Sequence, residues 1–150
     1  MLSQKAKYAL RALLTLAEAP DGDAVLIADI AGRDNIPKKF LEQILLDLKH
    51  NGIVQSRRGR SGGYALLRAP EEISFGEVVR VIDGPIAPLP CLSRLAYRKC
   101  KDCRDENACM LRRVFAASHE ATVTVLDQTS LADALAGAKD LPNWEMRRVA

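Results

Sequence analysis

The sequence predicts a mainly α-helical fold with one small β-hairpin and a long helix in its second half. Three observations favour this fold class: apolar residues recur at helical spacing early in the chain, a glycine-rich reversal follows them, and helical spacing returns after the last cysteine. Of the 150 residues, 48% are hydrophobic and 27% are charged, which suits either one compact domain or a small domain plus an appendage. We therefore expect a globular protein.

Three helices are expected in the first part of the chain. Apolar positions repeat every three or four residues between residues 6 and 17, with no glycine or proline to interrupt them. The segment "LIADIAGRD" predicts a short second helix that ends near Gly32 and Asn35. Pro37 is placed to begin the third helix, because a missing N–H costs nothing in the first turn. The stripe expected to be buried in this third helix is Phe40, Leu41, Ile44, Leu45 and Leu48.

A hairpin with strong positive charge is expected next. "IVQSR" and "YALLR" have the composition of strands and flank "RGRSGG", whose glycines permit a tight reversal. The formal net charge is +3, but residues 1–70 hold 11 Lys and Arg against 7 Asp and Glu, whereas residues 71–150 hold 11 against 12. No acidic residue lies between Asp47 and Glu71. Such a segment suits a polyanionic partner, although a solvated surface loop would carry the same charge.

Three helices followed by a hairpin form a winged helix-turn-helix, in which the third helix enters the major groove of DNA and the hairpin lies along the backbone. The predicted partner is therefore double-stranded DNA. The outward side chains of the third helix are Lys38, Lys39, Glu42, Gln43 and Asp47. The wing residues predicted to bind phosphates are Arg57, Arg58 and Arg60. Because phosphate contacts fix only the register, the third helix must supply the sequence preference.

The compartment expected for this chain is the cytoplasm. No apolar run approaches the roughly 18 residues of a membrane span, and the amino terminus lacks the small-residue cleavage site of a signal peptide. We therefore expect no membrane partner. Cysteines in such a protein stay reduced, and they serve as metal ligands or redox thiols more often than as structural disulfides.

The cysteines are clustered in one charged loop. Cys91, Cys100, Cys103 and Cys109 fall within 19 residues and are spaced Cys-x8-Cys-x2-Cys-x5-Cys. Nearby cations are expected to lower the pKa values of these thiols and to favour thiolates. Four thiolates satisfy either a tetrahedral zinc ion or an iron–sulfur cluster, and the spacing leaves both open.

The segments around the cysteine loop are expected to be helical. Ser74 and Glu77 have capping-box spacing at the start of a short helix, and three prolines then deliver an extended chain to Cys91. A helix of roughly 28 Å is predicted from Cys109 to about Asp127. Its recurring side chains are Leu111, Val114, Phe115, Ser118, Thr122, Val125 and Leu126. We expect this helix to form a homodimer, because paired reading helices must be held one DNA turn apart.

The sequence divides into four expected parts: a DNA-binding domain over residues 1–84, a cysteine-rich sensor loop over 85–108, a dimerisation helix region over 109–136 and a tail over 137–150. "TSLADAL" predicts a capped last helix. The histidines, His50 and His119, form no recognisable catalytic grouping, and "GRSGG" lacks the ending of a phosphate-binding loop. An enzyme is not expected.

Three segments resemble a known family. "KAKYALRALLTLA", "IPKKFLEQILLDLKHNGIV" and "SRRGRSGGYALLRAPEEISFGEVVRVIDG" look like the amino-terminal half of the IscR/NsrR-like winged-helix regulators, the Rrf family, and a looser likeness continues to about Leu135. The resemblance implies a homodimer on a partly palindromic operator, with a cluster or redox loop that controls affinity. It also implies that Lys39, Glu42 and Gln43 face the bases, and Tyr8 matches a tyrosine usual in the family motif.

The cysteine loop departs from that family. Its cluster-binding members typically offer three cysteines and one other ligand; Cys103 and Cys109 keep the expected five-residue gap, but Cys100 is extra. Arg112 and Lys7 stand where two branches of the family have their fourth ligand, and neither binds a cation. We therefore expect an iron–sulfur cluster, of the 2Fe-2S or 4Fe-4S type, with Cys100 as the fourth ligand. The alternatives are thiol oxidation, structural zinc, or a redox or metal carrier whose basic wing binds another acidic partner.

Overall fold

The computed structural model describes residues 2–59 and 62–137 of the chain. These residues form six α-helices, α1 (Gln4–Ala17), α2 (Ile27–Asp34), α3 (Lys38–His50), α4 (Phe75–Asp83), α5 (Met110–Gln128) and α6 (Leu131–Leu135), and two strands, β1 (Val54–Arg57) and β2 (Gly63–Leu66). The prediction of a mainly α-helical winged helix-turn-helix is confirmed. No helix within the described ranges combines the length and apolar character needed to cross a membrane. The expected tail beyond residue 137 lies outside the described residues.

Helix α1 forms the centre of the core. It starts two residues earlier than the apolar repeat predicted, because the hydroxyl of Ser3 accepts a hydrogen bond from the amide of Ala6 at 3.0 Å and caps the first turn. Its small and branched apolar side chains are fully buried against α2, α3 and α4. A helix so rich in alanine lets its neighbours approach closely, so α1 holds α3 in place.

Helix α3 begins at Lys38, and Pro37 stands immediately before it rather than in its first turn. Leu41, Ile44, Leu45 and Leu48 are buried as predicted. Phe40 does not belong to this stripe: it is 39% exposed and meets the edge of Tyr8 with ring centroids 5.8 Å apart. Phe40 lies at the margin of the stripe, where helical spacing no longer guarantees burial.

The wing is an antiparallel hairpin tied to the segment before α2. Its register pairs Val54 with Leu66 and Arg57 with Gly63. Val25 exchanges two hydrogen bonds with Tyr64, at 2.8 and 2.9 Å, and so acts as a third, one-residue strand. Gly63 has φ +144°, and a Cβ there would lie 2.3 Å from the carbonyl oxygen of Val25. The glycine therefore permits the hairpin to dock on the helical core.

The carboxyl-terminal end of α5 returns to the winged domain formed by α1–α4 and the hairpin. The amide of Phe75 donates to the carbonyl of Thr129 at 2.9 Å, and the amide of Leu131 donates to the carbonyl of Ile73 at 3.0 Å. Leu131 is fully buried in the same cluster as α1 and α3. Helix α6, capped by Ser130 as predicted, thus completes the core of the winged domain, whereas the sequence had grouped it with the dimerisation helix.

Candidate nucleic-acid interface and cysteine loop

The outer face of α3 carries the polar side chains that were expected to reach DNA. Lys38, Lys39, Glu42 and Gln43 are all exposed, while the opposite face of the helix is buried. Tyr8 is half-buried and packs edge-on against Phe40 at the start of α3. The aromatic pair therefore connects α1 to the first turn of α3, from which the four polar side chains project.

One of these side chains is held in place. The amide nitrogen of Gln43 donates to Asp47 Oδ1 at 3.1 Å, and Nζ of Lys5, on α1, donates to Asp47 Oδ2 at 2.7 Å. The hydrogen bond from Lys5 lowers the pKa of Asp47, the contact with Gln43 lowers it further, and partial burial opposes both. Asp47 is therefore a carboxylate at neutral pH and joins α1 to the outer face of α3.

The wing offers a narrower basic surface than the sequence indicated. Arg57 and Arg58 are exposed and make no side-chain hydrogen bond within the described residues, whereas Arg60 lies outside those residues. Arg68 is paired with Glu77 of α4, and Nζ of Lys49 donates to the hydroxyl of Ser56 at 2.7 Å. Those two cations therefore brace the hairpin, and Arg57 and Arg58 remain as candidates for phosphate contact.

The pair between Arg68 and Glu77 also affects the cap that Ser74 forms at the start of α4. The hydroxyl of Ser74 accepts from the amide of Glu77 at 3.1 Å, as the spacing predicted. The reciprocal half of the box does not form, because the Glu77 carboxylate binds Arg68 instead. The pair between Arg68 and Glu77 therefore joins the end of the wing to α4.

The four cysteines are free and lie between α4 and α5. Cys91 is buried in the single turn Pro90–Leu92, which packs against α5, and its thiol lies near enough to that of Cys100 to raise the pKa of Cys100. The amide of Cys103 donates to the carbonyl of Cys100 at 3.2 Å. Cys109 is the N-cap of α5, where its sulfur accepts from the amide of Arg112 at 3.4 Å. Both ends of the loop therefore contact the long helix.

The four cysteine thiols are suitable metal ligands, but they are not arranged around a common point. Four thiols in one loop are the donor set of zinc or of an iron–sulfur cluster. Within the described residues, however, no three Cys, His, Asp or Glu side chains are arranged as the ligands of one metal ion. Of these donors, Cys91 is a near neighbour of Cys100.

The thiol pKa values move in the direction opposite to the one expected. Burial, and then the neighbouring Cys91, raise the pKa of Cys100. Burial, and then the neighbouring Cys109, raise the pKa of Cys103, and the opposing effect of Lys99 is smaller. The loop cations point towards water, so the thiols are affected mainly by desolvation and by one another. The prediction of lowered thiol pKa values is therefore wrong for these two cysteines.

Helix α5 presents two faces. The half-buried inner face holds Arg112, Ala116, His119, Val123 and Leu126, so Leu126 does not belong to the outer stripe. Arg112 Nε and His119 Nδ1 on this face are buried and have no hydrogen-bond partner among the described residues. No residue of α5 is buried as a whole within the described part of the chain. On the outer face, Leu111, Val114 and Val125 are 65%, 65% and 46% exposed. An apolar outer stripe therefore runs along the helix.

A sequence model of the Rrf2 family, described as an iron-dependent transcriptional regulator, matches residues 2–137. The chain belongs to the Rrf2 family. The resemblance of its three motifs to this family is thereby confirmed, and so is the expectation that the protein is not an enzyme, because relatives in the family are named transcriptional regulators.

Similar Rrf2 proteins come from several bacteria. A Rhodobacter capsulatus protein named rrf2-like HTH-type transcriptional regulator is 55% identical over 91% of this chain and 93% of its own. The structure of CymR, the global cysteine regulator of B. subtilis, has a TM-score of 0.76 at 31% identity and covers 91% of this chain and 96% of its own. The structure of T. potens IscR has a TM-score of 0.73 at 27% identity over 97% and 93%. This Rrf2 protein is accordingly a helix-turn-helix transcriptional regulator.

Two contacts in this Rrf2 chain were not found from its sequence. Lys5 and Asp47 pair across 42 positions, and Arg80 pairs with Asp127 across 47. The four-residue interval between Gln43 and Asp47 on one helix was the available signal for the local part of the first contact. Nothing local indicates the second.

Proposed function

We propose that this Rrf2 protein is a homodimer that binds a two-part operator with affinity set by the state of its cysteine loop. Helix α3 supplies base contacts through Lys39, Glu42 and Gln43, and Lys38 lies beside them. Arg57, Arg58 and Arg60 bind phosphates from the wing. The exposure of the named α3 side chains, and of Arg57 and Arg58 on the hairpin, supports this assignment.

The outer stripe of α5 supports the homodimer. Helix α5 has 19 residues, and none of them is buried within the described part of the chain. Its apolar side chains are therefore exposed to water in the monomer. Leu111, Phe115 and Val125 recur at the spacing of a helix-packing seam. Packing two copies of this stripe together removes the apolar surface from water and fixes the distance between two reading helices.

The position of the cysteine loop supports its role as the sensor. We propose that Cys91, Cys100, Cys103 and Cys109 hold an iron–sulfur cluster. Such a cluster supplies sensitivity to iron supply, oxidants or nitric oxide, because it changes charge or dissociates. The residues of the loop act through α5: Cys109 caps its first turn, and Arg94 contacts Glu120 near its middle at 3.2 Å. The far end of α5 is joined to α4 through Arg80 and Asp127. A change in the loop therefore reaches the reading domain through one helix.

The single observation that carries this proposal is the placement of all four thiols in the loop that starts α5. The test begins with anaerobic purification, an absorption spectrum and analysis of iron, sulfide and zinc. Operator sequences are then selected from random DNA, and affinity is compared between protein with and without the bound metal. We expect iron with sulfide and about 5–150-fold different operator affinities. Stoichiometric zinc without iron, or one affinity for both forms, would refute the proposal.

Thiol oxidation is a second candidate, favoured by the proximity of Cys91 to Cys100, whose pKa it raises. Oxidation by hydrogen peroxide would join the two sulfurs, release their two protons and transfer two electrons to the peroxide, which becomes water. Treatment of metal-free protein with peroxide, followed by disulfide mapping, distinguishes the candidates. A Cys91–Cys100 disulfide that changes operator affinity favours oxidation, whereas a Cys100→Ser protein that loses its iron favours the cluster.

A further inference from the structure

We propose that Asp47 is a positioning residue for sequence reading: it orients the amide of Gln43, while Lys5 neutralises its charge in front of DNA. The inference rests on the proposed function, in which the outer face of α3 meets the bases. Its structural basis is the chain of two contacts from Lys5 through Asp47 to Gln43, which extends from the core helix α1 to the reading helix.

The orientation follows from the chemistry of the two groups. An amide that is free to rotate can exchange its donor and acceptor ends. The Asp47 carboxylate only accepts hydrogen bonds, so it pairs with the nitrogen of Gln43 and not with its oxygen. The carbonyl oxygen and the second N–H of Gln43 then have fixed positions relative to each other and remain available to a base. Glutamine recognises adenine through one donor and one acceptor, so a fixed order favours one arrangement of the base pair.

The ion pair removes an electrostatic obstacle. A carboxylate on the face of α3 that meets DNA would be repelled by phosphates. Nζ of Lys5 lies 2.7 Å from Asp47 Oδ2, and the two side chains are 32% and 30% exposed. The side-chain amide nitrogen of Asn51 also donates to the main-chain carbonyl of Asp47 at 2.9 Å, which fixes the last turn of the helix. The carboxylate is thus available to Gln43 without presenting a full negative charge.

This arrangement predicts that specificity and general affinity change in opposite directions. Removing the Asp47 side chain releases the Gln43 amide and reduces discrimination at the base pair it reads. It also removes one negative charge and frees the Lys5 ammonium to bind a phosphate. Binding to random DNA should therefore strengthen, and its salt dependence should steepen by about one unit.

The experiment compares Asp47→Ala with Glu71→Ala, a matched loss of one exposed carboxylate from the turn Pro70–Glu72. Base preference is compared at the position of the operator where the Gln43→Ala protein no longer prefers one base pair. At that base pair, Asp47→Ala should lose about 1.5- to twofold of its discrimination, and Glu71→Ala none. In a Gln43→Ala background, Asp47→Ala should steepen the salt dependence but change base preference no further.

The outcomes separate this inference from the proposed function. A wild-type protein that selects no DNA sequence overturns both. A wild-type protein that selects an operator, with unchanged preference in a folded Asp47→Ala protein, overturns the inference and leaves the proposed function standing. Lys5→Ala provides a second variant: it should weaken binding to all DNA sequences, because Asp47 then faces the phosphates with its charge unbalanced. Unchanged or stronger binding by folded Lys5→Ala protein also overturns the inference.

Discussion

Arg80 of α4 donates two hydrogen bonds to Asp127 of α5, one to each carboxylate oxygen, at 2.7 and 2.8 Å. Gly76, one turn before Arg80, makes room for this pair, since a Cβ at position 76 would lie 1.9 Å from Asp127 Oδ1. These three residues form the α4–α5 joint. A bidentate pair fixes orientation as well as distance, so α5 cannot turn about its axis without breaking it.

The first prediction concerns Gly76→Ala. Alanine normally stabilises a helix relative to glycine by about 0.5–1 kcal/mol. In the wild-type background this gain should be absent, because the new methyl group displaces the Asp127 carboxylate from Arg80. In an Asp127→Ala background the full gain should appear. Urea unfolding of the four proteins measures the free energies; equal effects of Gly76→Ala in both backgrounds would contradict the proposed crowding.

Acid should weaken the same joint. The hydrogen bond from Arg80 lowers the pKa of Asp127 below its ordinary value of 3.8. A carboxyl whose pKa is lowered by folding contributes stability above its unfolded pKa and loses it as the pH falls through the folded pKa. The free energy of unfolding should therefore decline below about pH 4 and decline less in Asp127→Asn. Asp23→Asn, which removes an exposed carboxyl before α2, is the control; an equal change in its pH profile would count against the joint.

The wing should act on all DNA sequences alike. Replacing Arg57 or Arg58 by alanine should lower affinity for operator and random DNA by similar factors, and should reduce the salt dependence by about one unit for each lost phosphate contact. Arg60→Ala is expected to behave in the same way. Arg68→Ala is the matched control, because its guanidinium already pairs with Glu77. A changed base preference with an unchanged salt slope would show that the wing reads sequence.

Charge in the outer stripe of α5 should separate the subunits. Leu111→Glu or Val125→Glu would place an unpaired carboxylate in the proposed seam, so the dimer should dissociate and operator affinity should fall. Thr124→Glu adds the same charge on an exposed position outside that stripe and should leave the dimer intact. Analytical ultracentrifugation gives the oligomeric state. Folded dimers of both seam variants would mean that α5 packs elsewhere.

The features that could be predicted from the sequence are those determined over one or two turns. Periodicity located α1 and α3, and the hydroxyl of Ser130 caps α6 as its pattern indicated. Features decided by distant residues could not be predicted. Glu77 follows the capping pattern, but Arg68 competes for its carboxylate. The fully buried Leu131 gives no local sign of the core it joins.

The same limit applies to the candidate site. The identity of the four cysteines and the exposed polar residues of α3 follow from spacing and composition. The raised pKa of Cys100 does not, because it depends on burial and on the approach of Cys91 across the loop. Sequence neighbours such as Lys99 and Lys101 indicated the opposite direction, since proximity along the chain does not say where a side chain points.

The return of Leu131 to the core has a consequence for how the protein can be divided. The cysteine loop and α5 begin at the end of α4 and finish beside Ile73, so they are an insertion within the winged domain and not an attachment to its end. A fragment that stops after α4 would lack Leu131 and leave a hole among the side chains that support α3. A protease cut inside the cysteine loop would instead give two pieces that remain associated through α6. The cysteine loop therefore cannot be separated from the winged domain by shortening the gene.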